Sequence, residues 1–145
     1  MLQLTDEIIK RLKEKGCKIT PQRRAVIQAL QKLDQFPTAQ EIFSDIKPAN
    51  PDVSLDTVYR NLNLLVDMGV VNQINLPGKD VKVFELATAK HHHHLVCLGC
   101  GQASCLNYCP VDESVLRQAA GSEFQIVGHS LELYGYCTKC RRKDQ

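Results

Sequence analysis

The sequence predicts an α+β fold in two parts: an N-terminal winged helix-turn-helix domain and a C-terminal α/β domain. Three observations lead there. Segments with apolar residues at helical spacing run from Leu4 to Gly69, two short apolar stretches around a proline-glycine turn follow, and from about residue 87 the composition changes to histidine, cysteine and glycine. A chain of 145 residues with 43% hydrophobic content is long enough for one ordinary domain or two small ones. The composition shift favours two, at 1–86 and 91–145, with 87–90 as a hinge.

In the first helix Leu4, Ile8 and Leu12 recur at helical spacing, and Gly16 follows its last turn. Thr20-Pro21 then supplies a hydroxyl cap and a proline at the first helical position, leading into Ala25, Val26, Ala29, Leu30 and Leu33. Thr38 caps a third helix that buries Ala39, Ile42, Phe43 and Ile46, and Pro48 and Pro51 break it. Ser54 opens a fourth with Val58, Leu62, Leu65 and Val66 inward, closed by Gly69. VVNQINL and VKVFEL, joined by Pro77-Gly78-Lys79-Asp80, read as a β-hairpin, the wing. Beyond the hinge, Val111 to Ala120 reads as a helix, and Phe124 to Val127 and Ser130 to Tyr134 as strands.

Net charge is only +2, so no global basic field points to nucleic acid. The basic residues are bunched instead: Lys10, Arg11, Lys13, Lys15, Lys18, Arg23 and Arg24 lie close together with Glu14 as the only acid among them, a stretch able to follow a phosphate backbone. On the fourth helix Asp56, Tyr59, Arg60 and Asn63 fall opposite the core face. An exposed aromatic can meet thymine methyls there, and an arginine a guanine edge or phosphate; a plain solvated face is the alternative. No apolar run is long enough to span a membrane, and the first residues are charged and amphipathic rather than a signal peptide, so the expected location is the cytoplasm.

Seven cysteines in a reducing compartment point to metal rather than disulfides. Cys97-Leu98-Gly99-Cys100 and Cys137-Thr138-Lys139-Cys140 are two knuckles whose four thiolates would close a tetrahedral structural Zn(II) site with no open position. Ahead of the first stand four histidines. If that segment is extended, His92 and His94 face one side and His91 and His93 the other, so one run serves two sites; loose metal affinity on a solvated stretch is the alternative.

TPQRRAVIQAL, VSLDTVYRNLNLLVDMGVV, VFEL, HHHHLVCLGCG and HSLELYGYCTKC, in that order, closely resemble the ferric uptake regulator family of dimeric metalloregulators over nearly the whole chain. The resemblance implies a homodimer on a palindromic operator in double-stranded DNA, with structural zinc on Cys97, Cys100, Cys137 and Cys140. It implies a regulatory site to which Glu85, His92 and His94 contribute, and an accessory site on His91, His93, Asp112 and His129. The expected DNA contacts are Lys18, Arg23, Thr57, Tyr59, Arg60 and Asn63.

Two positions depart from the family pattern: Phe36 stands where iron and peroxide sensors usually have histidine, and Cys105 where they carry an acid. A thiolate softens the regulatory site and favours Zn(II) over Fe(II), so the chain is most like the zinc-uptake branch and reads as a zinc-responsive repressor of metal-homeostasis genes, with Fe(II) or Mn(II) as the alternative regulatory ions. An iron- or peroxide-sensing repressor is the alternative within the family; a buried free thiol is the alternative for Cys105, and Cys109 is a weaker ligand candidate. A zinc hydrolase is remote, because no HExxH or deaminase motif is present, and the chain is expected not to be an enzyme. A zinc store would bind metal without metal-dependent DNA binding.

Overall fold

The computed structural model describes residues 2–33, 36–78, 80–87 and 91–141, in two compact units, Met1–Ala89 and Lys90–Gln145. Most of the expected hinge, 88–90, and Lys79 of the expected turn lie outside the described residues. The fold is α+β, as the sequence predicts.

In the N-terminal unit four helices precede a hairpin: α1 (Leu2–Glu14), α2 (Pro21–Lys32), α3 (Ala39–Ile46), α4 (Leu55–Asp67), β1 (Val71–Leu76) and β2 (Val81–Leu86). Each helix after the first starts where a hydroxyl satisfies a backbone donor. Thr20 accepts from Arg23 N at 3.1 Å, with Pro21 where no donor is needed. Thr38 accepts from Glu41 N at 3.1 Å while the Glu41 carboxylate accepts from Thr38 N at 2.8 Å, a complete capping box. Ser54 accepts from Thr57 N at 3.1 Å. At the far end of α4, Gly69 takes a φ of 75°, which an L side chain would resist.

The faces so aligned meet in one core: Ile8 and Leu12 of α1, Val26, Ile27 and Leu30 of α2, Ile42 of α3, Val58, Leu62 and Leu65 of α4, and Phe84 of β2. Each such side chain contributes on the order of 1.5–3 kcal/mol by leaving water. The hairpin is antiparallel from Val71↔Leu86 to Leu76↔Val81, and its outer strand is tied to the α2–α3 connection by Phe84 N donating to Pro37 O at 3.0 Å.

One helical face differs from the expected one. Leu4 is 43% exposed, and Thr5 is buried in its stead, its hydroxyl donating to the Gln31 side-chain carbonyl of α2. A satisfied polar group can occupy a core position that apolar spacing assigns to its neighbour.

The C-terminal unit is a three-stranded sheet ordered β4-β3-β5, from β3 (His93–Cys97), β4 (Ala103–Leu106) and β5 (Glu132–Gly135), with α5 (Glu113–Ala120) in the crossover. β3 pairs antiparallel with β4 and parallel with β5, which is why a long connection carrying a helix separates β4 from β5. The expected strand Phe124–Val127 is not formed: Phe124 N turns back to Gly121 O at 3.5 Å, and Phe124 and Val127 are 66% and 92% exposed. An apolar run signals burial against something, and the described residues of this chain supply no strand beside it. The last strand begins at Glu132 rather than Ser130, and α5 begins at Glu113 because Asp112 is its cap.

Asn61 was not singled out by pattern, yet it is buried on α4 at the edge of the core. Its Oδ1 accepts from Arg23 Nε at 2.9 Å and its Nδ2 donates to Thr57 O at 3.0 Å, bracing α2 against α4. Asn61→Ala leaves Arg23 Nε without its acceptor at the core edge and should cost about 1–3 kcal/mol. Urea unfolding of the full chain, followed by helical circular dichroism, checks this, and an unmoved midpoint would remove Asn61 from the account.

Candidate metal centres and the exposed face of α4

β3 enters the first knuckle, so Cys97 and Cys100 stand at its end, and the chain after β5 enters the second, bringing Cys137 and Cys140 beside them. The four Sγ atoms lie within 4.8 Å of one another, and Cys100 and Cys137 are 3.9 Å apart. Sulfurs at ~2.3 Å from a tetrahedral zinc would be separated by about 3.8 Å, so the set fits that ion. Protonation is uneven: backbone N–H groups of Cys100 and Cys137 hold the Cys97 thiol down to about 6. Hydrogen bonding to Cys137, then burial, pushes Cys140 up to about 12. Four thiols this close ionise together only around a cation. Gly99 is part of the enclosure, since a Cβ there would stand 2.7 Å from Cys140 Cβ and 2.8 Å from its Sγ.

The histidines divide by parity. His93 and His94 are consecutive in β3 and both buried, so their rings leave the sheet on opposite faces. On one face the His92 and His94 rings meet edge to face, centroids 4.9 Å apart, and the β3–β4 register sets Cys105 opposite His94. The three offer ligand atoms within 4.8 Å of one another. Glu85 belongs to the N-terminal unit, in β2, where its carboxylate accepts from Asn72 Nδ2 at 3.1 Å. Phe36, in the same unit, has a φ of 57°, a left-handed conformation uncommon outside glycine.

On the other face His91 Nε2 lies 3.0 Å from His93 Nε2 and 3.1 Å from His129 Nε2. Asp112, expected as their acidic partner, is not in the cluster; the thiol of Cys109 is, with Sγ 3.2 Å from His129 Nε2. The carboxylate is held elsewhere by its helix: Asp112 Oδ1 accepts from Ser114 Oγ at 2.7 Å, Ser114 N at 3.0 Å and Val115 N at 3.4 Å, and the Ser114 hydroxyl foremost, then the Val115 and Ser114 amides, lowers its pKa. Spacing could not foresee this, because an Asp one residue before a helix serves equally as cap or ligand.

Of the residues expected at DNA, Tyr59, Arg60 and Asn63 share the exposed side of α4, and Asp56 with them. Thr57 is half-buried, its hydroxyl 2.9 Å from that of Ser54. Lys18 is exposed. Arg23 is turned inward instead: besides Asn61 its guanidinium donates to Lys18 O and, at 3.5 Å, to Cys17 Sγ. Its visible role is to fix the loop carrying Lys18.

The model of the ferric uptake regulator family matches residues 14–134. The peroxide-responsive repressor PerR of Staphylococcus epidermidis is 32% identical over 138 residues, covering 95% of this chain and 91% of that protein. Among solved structures, the Helicobacter pylori ferric uptake regulator Fur, described as having three functional metal binding sites, superposes with a TM-score of 0.72 at 25% identity, over 94% of this chain and 93% of that one. Fur of Vibrio cholerae gives 0.68 at 36% identity, over 88% and 98%. These likenesses include a peroxide-responsive repressor and ferric regulators and do not single out the zinc-uptake branch.

Gly99→Ala should lower zinc retention by the four cysteines, read as faster zinc release to a chromogenic chelator; unchanged release would mean the knuckle accommodates the methyl. His93 gives a pH dependence. Burial first, then the neighbouring histidines, lowers its pKa from 6.5, so its contribution to stability is complete above about 6.5 and is lost as pH falls through the lower folded value. With zinc kept on the cysteines and the histidines metal-free, the C-terminal unit should therefore melt at lower temperature as the buffer is taken below that pH. His93→Gln should flatten the dependence.

Proposed function

Because the chain belongs to the ferric uptake regulator family, a family of metal-responsive transcriptional regulators and not of enzymes, we propose that it is a zinc-responsive repressor. In this reading it acts in the cytoplasm as a homodimer on a palindromic operator in double-stranded DNA, controlling metal-homeostasis genes. Structural zinc resides on Cys97, Cys100, Cys137 and Cys140. Regulatory zinc is taken by His92, His94 and Cys105, with Glu85 as the fourth ligand.

The observation that carries the zinc reading is the thiol of Cys105 converging with two imidazoles, a donor set that favours Zn(II) over Fe(II) and Mn(II). Glu85 precedes His92 by seven positions, so the chain between them reaches at most about 25 Å and keeps the carboxylate available. Ligands drawn from both units make affinity depend on how the units are arranged. To turn a mostly open population into a mostly closed one, the closed form must hold the ion about 10⁴-fold more tightly. The closed dimer would then present the Tyr59, Arg60 and Asn63 faces of two α4 helices about 34 Å apart, one helical turn of DNA.

Three features support the homodimer. α5 buries none of its residues. Phe124 and Val127 face solvent. A groove of about 460 Å³ on the sheet is edged by exposed Leu95, Leu133, Tyr134 and Tyr136. A second copy of the chain would cover such apolar surface. No helix among the described residues is long and apolar enough to cross a membrane.

The S. epidermidis relative, a peroxide-responsive repressor, motivates one competing reading, a peroxide-sensing repressor, for which we take iron as the regulatory ion to be tested. The two separate in one experiment: DNA binding by the dimer with structural zinc retained, titrated with buffered Zn(II), Fe(II) and Mn(II), beside Cys105→Ser. Zinc should restore tight binding at low free concentration, and the variant should need at least tenfold more. Restoration by iron alone, unaffected by Cys105→Ser and lost with peroxide, would replace zinc sensing by peroxide sensing.

A further inference from the structure

We propose that Arg23 and Asn61 are positioning residues for DNA recognition: together they fix the loop carrying Lys18 against α4, so that Lys18 meets a phosphate in one register with the Tyr59, Arg60 and Asn63 face. The proposal rests on the reading of that face as the one that contacts DNA, and it holds whichever ion the regulatory site takes.

The loop between α1 and α2, residues 16–20, is held at both ends. Gly16 turns out of α1 with a φ of 81°, and Cys17 N donates to Leu12 O at 2.9 Å. At the other end Thr20 caps α2. Between these anchors Cys17 and Ile19 pack against the core, while Lys18, the one charged residue of the loop, is exposed. Cations on either side of the loop grip α4. Lys15 Nζ donates at 3.0 Å to Met68 O, at the C-terminal end of that helix, and Arg23 Nε donates at 2.9 Å to Asn61 Oδ1 in its middle. Two members of the basic stretch are thereby committed to α4, with Lys18 standing out between them.

Arg23 reaches loop and helix at once. While Nε is on Asn61, Nη1 donates to Lys18 O and, at 3.5 Å, to Cys17 Sγ. Asn61 is itself buried and fixed, its Nδ2 donating to Thr57 O at 3.0 Å, and it is next in sequence to Arg60. A planar guanidinium presents its donors in a rigid fork and can hold a loop carbonyl and a helix side chain together; a lysine ammonium has the charge without that geometry. The consequence is for specificity. Phosphate contacts carry no sequence information of their own, so a lysine on a loose loop contributes equally wherever the protein sits on a duplex. A lysine tied to α4 reaches its phosphate in the same pose in which α4 reaches the base edges, and each contact then reinforces the other.

The test uses the full chain, structural zinc retained and loaded with whichever of Zn(II), Fe(II) and Mn(II) restores DNA binding. Affinity is measured over a range of salt for a duplex that the protein selects from a random-sequence library and for a mixed-sequence duplex. Lys18→Ala should lower affinity for the selected duplex about tenfold, and the slope of log affinity against log salt by about one per protomer. Arg23→Lys keeps the charge, so an Arg23 that touched phosphate itself would tolerate it. The positioning role requires the loss seen with Lys18→Ala, little change on the mixed-sequence duplex, and no further loss when the two substitutions are combined. A second pair of variants leaves Arg23 in place. Asn61→Asp retains an acceptor for Arg23 Nε and should keep Lys18→Ala as costly as in the unsubstituted protein, whereas Asn61→Ala should remove that cost. Additive losses from Arg23→Lys and Lys18→Ala, equal losses on both duplexes, a full cost of Lys18→Ala in the Asn61→Ala background, or no effect of Lys18→Ala at all overturns the proposal while Arg60→Ala still weakens binding. Binding untouched by Arg60→Ala would instead bring down the α4 reading, and the proposal with it.

Discussion

Four sulfur atoms within 4.8 Å of one another cannot all carry negative charge without a cation among them, and the C-terminal unit is built around that constraint. Its buried residues, among those described, are His93, His94, Val96, Cys97 and Cys140. All but Val96 carry atoms able to ligate a metal, so on the proposed reading metal ligation would take the place that a hydrophobic core has in the other unit. The N-terminal unit has the opposite economy: Ile, Leu and Val from four helices close on one another and need no ion. One chain thus joins a unit packed on aliphatic side chains to a unit whose buried residues are mostly potential metal donors.

How far the sequence disclosed this depends on how local each determinant is. Helix starts at Thr20, Thr38 and Ser54 were legible because the cap, the first turn and the apolar stripe lie within a few residues of one another. The wing was legible from its proline-glycine turn. What escaped was decided by partners distant in sequence or absent from this chain. Thr5 enters the core because Gln31 meets it, and Asn61 because Arg23 does. Phe124 to Val127 has strand composition but no strand beside it, a statement about neighbours that composition cannot make.

The site residues show the same division. Each knuckle could be read from its own spacing, and parity sorted the histidines because alternation is a local property of extended chain. The choice between Asp112 and Cys109 is not local. It turns on whether the carboxylate is claimed first by the amides of α5, and on where a loop of no regular structure delivers a thiol. Cys105 and Cys109 thereby fall to different histidine faces, four positions apart in sequence.

Parity gives the histidine run a property that substitutions do not reveal. In a tract of identical residues, deleting any one member yields the same shortened protein, with the remaining rings at unchanged distances from the anchored knuckle and the preceding chain drawn one place closer. Faces alternate with every residue along the strand, so rings counted back from Cys97 keep their sides while the tract loses its outermost member, His91 in effect. A single insertion does the reverse and adds a ring on the side of His92 and His94. The length of the tract is therefore a dial on one face at a time, which gives descendants of this gene a route to altering one metal centre while leaving its neighbour's ligands intact.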